Sequence, residues 1–348
     1  MFLLEEGWDV TLIGRKLKAS QPLERPYATH RFNLFFKKGA GFYASYNLRL
    51  FLFLIFRRYD AIVSNDLDTL LACYLASLTK SGCQLFYDSH ELFTEVPELI
   101  HRPKVRTTWL AIEKWVFPKL KKVYTVNESI ARIYREKYQV PVAVVRNVSQ
   151  RWIPEKIKSR EELGLPNNKS IVILQGAGIN MDRGAEEAIE AMKLLSDKVL
   201  FLIIGSGDVI PLLQSRVVHD GMTEKVKFLG KMPYQEMMNY TFHADIGLSL
   251  DKNTNANYQF SLPNKLFDYM HTETVIVASD LPEVANIVKK HNIGKIVPNH
   301  DPSVIAATIS ALLQDQALML LMKSNCVEAA KIENWEKEKE VLRLMYAE

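Results

Sequence analysis

Short apolar runs ending in Gly, Asp, Asn or Ser alternate with stretches of helical periodicity along this chain, and the alternation restricts the fold more than any other feature. In the second half, strands are predicted at 170–174, 199–204, 225–229, 245–250 and 275–278, with helices at 185–195, 209–218 and 234–243 between them. In the first half, strands are predicted at 8–14, 27–36, 60–64, 84–87, 122–126 and 141–145, and helices at 42–56, 70–78, 109–120 and 128–138. Such repeats build an α/β fold of parallel, helix-covered sheets. The segment 147–168, with Pro154, Lys156, Lys158, Arg160 and Pro166, breaks the pattern and reads as an interdomain connection. The expected organisation is therefore a first domain at 1–147, a linker at 148–168, a second domain at 169–330 and a terminal helix at 331–348. In that last helix Ile332, Trp335, Leu342 and Met345 fall near one face, which suits packing across both domains. A doubly wound domain ordinarily opens with a strand and its loop, whereas residues 1–7 read as the end of a helix stopped by Gly7. The expectation is that a first strand and loop are missing.

Charge is divided unevenly. Residues 1–147 carry 22 Lys and Arg against 14 Asp and Glu, and the remainder carries 22 against 26. A net of +8 on the first half suits an anionic partner such as a membrane surface, a lipid-linked acceptor or a nucleic acid, or else is a spread of solvated lysines. No interleaved aromatic-basic motif supports nucleic acid. The apolar stretch 42–56, interrupted by Asn47 and Arg49, is shorter than the roughly 20 residues of a spanning helix. It is expected to lie buried against the sheet, the alternative being an interfacial helix flanked by Lys37, Lys38, Arg57 and Arg58. Cys73, Cys83 and Cys326 stand singly and read as reduced thiols of a cytoplasmic protein.

The run 261–270 carries the sharpest local signal. Ser261 and Pro263 read as a helix start, which places Lys265 in the first turn. The helix dipole disfavours a cation there by roughly 0.3–1 kcal/mol unless an anion is shared between the ammonium and the backbone N–H groups. Asp268, three residues on, either grips the hydroxyl end of the same nucleotide or forms a surface ion pair with Lys265. Gly176 and Gly178 follow a strand and lead to Arg183 before a helix, an arrangement suited to phosphate, although Met181 stands where a full dinucleotide fingerprint needs glycine. Gly205 and Gly207 make a further strand-to-helix turn. In the first half Asp66 and Asp68 invite a metal reading that lacks a third ligand, so Asp68 and Thr69 are expected to cap the following helix. His90, at a strand end, reads as an acceptor-side contact or general base, or as a capping residue.

In this order the motifs resemble the retaining GT-B glycosyltransferases of glycosyltransferase family 4. The residues that carry the resemblance are Gly176-x-Gly178 with Arg183-Gly184, Gly205-x-Gly207, 228–232, Pro263-x-Lys265-x-x-Asp268-Tyr269-Met270 and 277–280, joined by Asn65-Asp66, His90-Glu91 and Val145-Arg146-Asn147. The resemblance implies two Rossmann-like domains facing a cleft, the first acceptor-side and the second holding a nucleotide diphosphate sugar. Arg183 and Lys265 would hold the diphosphate, Asp268 the ribose, Ser261 and Leu262 would lie near the donor sugar and phosphate, Met232 near the base, and His90 on the acceptor side. The implied chemistry is retaining transfer to a hydroxyl without a metal or other cofactor, in cell-surface polysaccharide or glycolipid synthesis. The implied acceptor is a glycan or a lipid-linked glycan, and the setting is the cytoplasm with a peripheral contact at the inner face of the membrane. The family's first paired glutamate is replaced here by Phe260, eight residues before Asp268. That replacement keeps a nucleotide-sugar epimerase and a non-catalytic nucleotide-sugar-binding protein open as alternatives.

Overall fold

The computed structural model describes residues 1–18, 20, 22–100 and 102–347. The chain divides into two compact units, Met1–Arg146 with Lys339–Glu348, and Asn147–Glu338. The terminal helix Trp335–Ala347 is thus divided between them at Lys339. Residues 148–168 are not a free connection. Val148 and Leu165 are buried in the core of the second unit, and Arg160 donates to the carbonyls of Pro166, Lys169 and His243.

In the first unit β1 (Thr11–Lys16) and β2 (Ala28–Asn33) form one parallel sheet, and β3 (Ala61–Asn65), β4 (Gln84–Ser89), β5 (Lys122–Thr125) and β6 (Ala143–Val144) form another in that order. The helix Gly39–Ile55 covers both. Its Tyr46, Leu50 and Leu54 share one apolar cluster with Ile13 of β1, Phe32 of β2, Ile62 of β3 and Leu85 of β4. Elsewhere in this unit Tyr346 of the terminal helix stacks on Phe86 of β4 at 4.1 Å and meets Phe2 and Trp8 edge-on. Arg343 of that helix forks onto Glu6.

The second unit is one six-stranded parallel sheet. Its strands are β7 (Ser170–Gly176), β8 (Val199–Gly205), β9 (Val226–Gly230), β10 (Ile246–Ser249), β11 (Val275–Ser279) and β12 (Gly294–Val297), in the order β12-β11-β10-β7-β8-β9. Strand periodicity splits the side chains between two cores. Val172, Leu174, Phe201, Ile203, Val275 and Val277 enter one cluster, while Ile171, Ile173, Leu200, Leu202, Ile276 and Ala278 enter the other. The chain starts at the central β7, winds outward to β9, then returns to β10 and winds the other way. β7 and β10 are therefore neighbours whose connections diverge, and the crevice beyond their carboxyl ends is where open α/β sheets bind ligands. Among the described residues no single helix is long and apolar enough to cross a membrane.

Candidate functional site

A pocket of about 220 Å³ lies at the carboxyl end of β7, lined by the loop 175–179, Arg183 and Pro263–Lys265. Its floor is set by the helix Lys265–His271, whose Tyr269 ring lies where a Cβ on Gly247 of β10 would sit, 2.6 Å away. The Tyr269 hydroxyl donates to the carbonyls of Leu248 and Ile173, one on each of the two diverging strands. The helix begins at Lys265, two residues later than its sequence suggests, because Ser261 belongs to the preceding turn and donates to the Tyr258 carbonyl. Its N-cap, Asn264, supplies no side-chain hydrogen bond.

Lys265 is the first helical residue, and it has no hydrogen-bond or ion-pair partner among the described residues. Desolvation pulls its pKa below the usual lysine range, Asp251 opposes the shift, and Arg183 adds to it. Half-buried, beside another cation and at the positive end of a helix, this ammonium is placed where an anion relieves all three costs. The surface ion pair with Asp268 is not formed, since Asp268 is itself 4% exposed and engaged elsewhere.

Arg183 is held from two sides. Its NH1 lies 3.3 Å from Asp251 Oδ2, and its guanidinium sits 4.2 Å from the centre of the Tyr258 ring. Gly184 behind it has φ +78°, and a Cβ there would lie 2.3 Å from the Leu250 carbonyl oxygen, so the turn presses directly on the end of β10. Asp251 is 1% exposed, and its Oδ1, like Arg183 Nε, lacks a hydrogen-bond partner among the described residues. Both Asp251 and Tyr258 escaped the sequence reading. Neither lies in a recognisable motif, and the available signal was the position of Asp251 just past a strand that neighbours β7.

The glycines divide into two kinds. Gly205, at φ +136°, would place a Cβ 1.7 Å from the Gly176 carbonyl oxygen, and a Cβ on Gly207 would meet the Ile179 carbonyl oxygen at 1.8 Å. These two allow the turn after β8 to lie against the loop after β7, as Ser206 confirms by accepting at its carbonyl from Ile179 N–H at 2.9 Å. Gly176 and Gly178 differ. A Cβ at either meets nothing nearer than 3.8 Å, and neither has positive φ. Packing does not demand glycine there, and both residues leave the pocket wall open.

Asp268 is a buried junction. Its Oδ1 accepts from Ser149 at 2.6 Å and Tyr234 at 2.8 Å, and its Oδ2 accepts from Gln175 Nε2 at 2.9 Å. Burial raises its pKa while these donors pull it down. Ser149, Tyr234 and Gln175 thereby tie the start of the second unit, the helix Tyr234–Phe242 and the glycine loop together. Met232 and Leu262 pack against the adjoining core cluster rather than lining the pocket, and Phe260, half-buried, ends the short helix Ala256–Gln259.

The first half of the chain, residues 2–148, matches the domain family described as Glycosyltransferase Family 4, and residues 170–315 match Glycosyl transferases group 1. The chain carries both glycosyltransferase domains. Among its relatives is the amylovoran biosynthesis glycosyltransferase AmsK of Erwinia amylovora, 27% identical over 177 residues, which are 49% of this chain and 42% of that protein. The chain thus matches less than half of that relative's length. The sucrose-phosphate synthase of Thermosynechococcus elongatus superimposes with a TM-score of 0.81 at 18% identity, over 99% of this chain and 90% of that one. Anabaena HepE, solved in complex with UDP-glucose, does so at 0.69 and 15% identity, over 92% and 86%. These likenesses establish the two-domain GT-B fold.

In the family 4 domain the polar ends of β3 and β4 are tied together. Asp66, at φ +57°, donates its N–H to the Asp88 carbonyl, and its Oδ1 accepts from the His90 N–H at 2.9 Å. The following helix Leu67–Leu78 has no side-chain cap, so the expected capping by Asp68 and Thr69 is not realised; Thr69 instead donates to the Asn65 carbonyl. Among the described residues no group of three His, Cys, Asp or Glu is placed to hold a metal. His90 Nε2 lies 3.2 Å from Asp88 Oδ2, and this hydrogen bond raises the imidazole pKa to about 9 against some desolvation. With its ring held toward the protonated form by Asp88, His90 is better placed to donate a hydrogen bond than to take up a proton. Because the folded pKa lies above the unfolded value near 6.5, the stability it contributes is complete below that value and is lost as pH rises through about 9. Denaturation curves are expected to show that fall for the native chain and to lose it in His90→Gln, and a side-chain NMR titration of His90 near 6.5 would contradict it.

Proposed function

We propose that the chain is a glycosyltransferase that takes a sugar from a nucleotide diphosphate sugar and places it on an acceptor hydroxyl with retained configuration. The observation that carries this reading is the partnerless Lys265 beside Arg183 at the open glycine wall of the β7–β10 crevice. A pocket of about 220 Å³ is smaller than the roughly 300–1,000 Å³ of a whole ligand site, and so matches the diphosphate portion alone. In the transfer the bond between the anomeric carbon and the diphosphate breaks, and one to the acceptor oxygen forms as the acceptor passes its proton to an oxygen of the departing diphosphate. Negative charge grows on the departing diphosphate, where preorganised Arg183 and Lys265 stabilise it. Asp251 and Tyr258 keep the guanidinium aimed. Asp268 receives the ribose in this reading, with a ribose hydroxyl taking the place of the Ser149 or Tyr234 hydroxyl at Oδ1. The setting of this reading is cell-surface polysaccharide or glycolipid synthesis, in keeping with a relative whose name places it in a biosynthetic route. The charged His90 serves the acceptor side as a hydrogen-bond donor.

The test is a thermal-shift panel of UDP and GDP sugars followed by assay of nucleotide diphosphate release with and without glycan acceptors. Stabilisation with acceptor-dependent release is expected. Release without acceptor, or interconversion of the donor, points to the epimerase. Stabilisation without turnover supports a binding protein, the reading that Phe260 favours. In the same panel Asp268→Asn is expected to lower Tm even without nucleotide. An amide cannot accept from all three donors, and each buried hydrogen bond left unmet costs about 1–3 kcal/mol.

A further inference from the structure

A second cavity, of about 250 Å³, lies at the other end of the six-stranded sheet. It is lined by residues 151–154, by Phe242 on the approach to β10, and by His271 and Glu273 on the approach to β11. It therefore sits at the amino ends of the strands, away from Arg183 and Lys265 at the carboxyl ends. One wall is apolar. Trp152 spends its single donor on Gln235 Oε1 at 3.0 Å, its ring centre lies 5.9 Å from that of Phe242, and Ile153 is 78% exposed. The polar groups of the cavity are unmet. Arg151 and Glu273 are exposed, and neither side chain has a hydrogen-bond or ion-pair partner among the described residues. His271 Nε2 lies 3.1 Å from the Glu333 carbonyl, which only accepts, so Nε2 carries the hydrogen, and Nδ1 is left without a partner among the described residues. Burial holds the His271 pKa below the usual histidine range, which keeps Nδ1 a lone pair. Glu273 is also costly where it stands. It follows Thr272, the C-cap of the helix Lys265–His271, at φ +59°, the left-handed position that glycine ordinarily fills. A carboxylate held in that conformation beside a cavity points to a use for the side chain.

We propose that this cavity binds one neutral sugar ring, whose hydroxyls donate to Glu273 and His271 Nδ1 and accept from Arg151, and whose C–H face lies on Trp152, Ile153 and Phe242. Charge selects the class. An anion drawn to Arg151 would meet the carboxylate of Glu273, and a cation drawn to Glu273 would meet the guanidinium of Arg151. Hydroxyls on neighbouring carbons donate and accept at once without charge, and so serve all three groups. The volume lies below the roughly 300–1,000 Å³ of most ligand sites, which suits a single ring rather than a whole nucleotide sugar. Because the cavity is separate from the donor pocket, sugar binding here stands or falls independently of the transfer reading.

The full chain is titrated with the methyl glycosides of glucose, galactose, mannose and N-acetylglucosamine and followed by saturation-transfer NMR, with and without excess UDP. Binding of at least one glycoside is expected, unchanged by UDP and by Lys265→Ala. Glu273→Gly is expected to weaken it about tenfold or more while leaving Tm unchanged or raising it, because glycine relieves the left-handed backbone. Arg151→Ala is expected to weaken binding similarly with Tm unchanged, since the side chain is exposed and unpaired. The proposal is overturned if none of the four glycosides binds the native chain, if Glu273→Gly binds as the native chain does, if UDP or Lys265→Ala removes the binding, or if leucine, a zwitterion, takes the cavity in their place.

Discussion

Lys265→Ala is expected to abolish the stabilisation of this protein by UDP or GDP sugars while leaving its nucleotide-free Tm unchanged or slightly raised. Both halves follow from one fact, that the ammonium is desolvated and unpaired. Removing it relieves a cost in the empty protein, since a buried charge without a partner is unfavourable. With a diphosphate present the same ammonium makes a charge-assisted hydrogen bond worth about 1.5–3 kcal/mol, so the variant is expected to bind roughly ten- to a hundredfold more weakly. The pH dependence has a definite sign. The pKa is depressed in the empty protein and an anion raises it again, so affinity is greatest where Lys265 is charged and falls as pH climbs through the depressed value. Lys265→Ala is expected to flatten that fall. Calorimetric titration reads both effects, and equal affinity for native chain and variant would remove the diphosphate from this pocket.

The parts of the site legible in the sequence are those whose chemistry is local. Lys265 stood out because a cation in a first helical turn offends the helix dipole, and Arg183 because it follows a glycine loop into a helix; the fold brings them to one pocket wall. The alternation of strands and helices predicted eleven of the twelve strands among the described residues, with ends displaced by up to three residues, as at β1, which starts at Thr11 rather than residue 8, but it missed the edge strand β12 and the separation of β1 and β2 into a sheet of their own. What was hidden is what depends on distant segments. The local sequence left Asp268 open between a ribose contact and a surface ion pair, and its three donors, Ser149, Gln175 and Tyr234, lie up to 119 residues away. Asp251 carries no motif, and its role exists only because β10 lies beside β7. The protonated state of His90 likewise rests on the reach of Asp88 across a strand end.

Gly205→Ala and Gly178→Ala are expected to fail in opposite ways, although both replace one glycine of a Gly-x-Gly pair by the same methyl group. At Gly205 the Cβ falls 1.7 Å from the Gly176 carbonyl oxygen with the backbone at φ +136°. Neither neighbour is a flexible side chain that can yield, so the β7 and β8 loops must part, and the strained φ remains even if they do. A loss above about 4 kcal/mol is expected, a large share of the roughly 5–15 kcal/mol of a whole domain. At Gly178 the methyl meets only Asn180 Nδ2 at 3.8 Å, ordinary contact, so Tm is expected to stay near that of the native chain. That methyl nevertheless occupies open space on the wall where the diphosphate is proposed to approach the backbone, and donor affinity is expected to fall tenfold or more, read by calorimetry on a protein shown to be folded. A Gly178→Ala protein that melts and binds donor like the native chain would mean that no ligand comes close to this loop, and the anion would then have to meet Lys265 from the Asn264 side of the pocket instead.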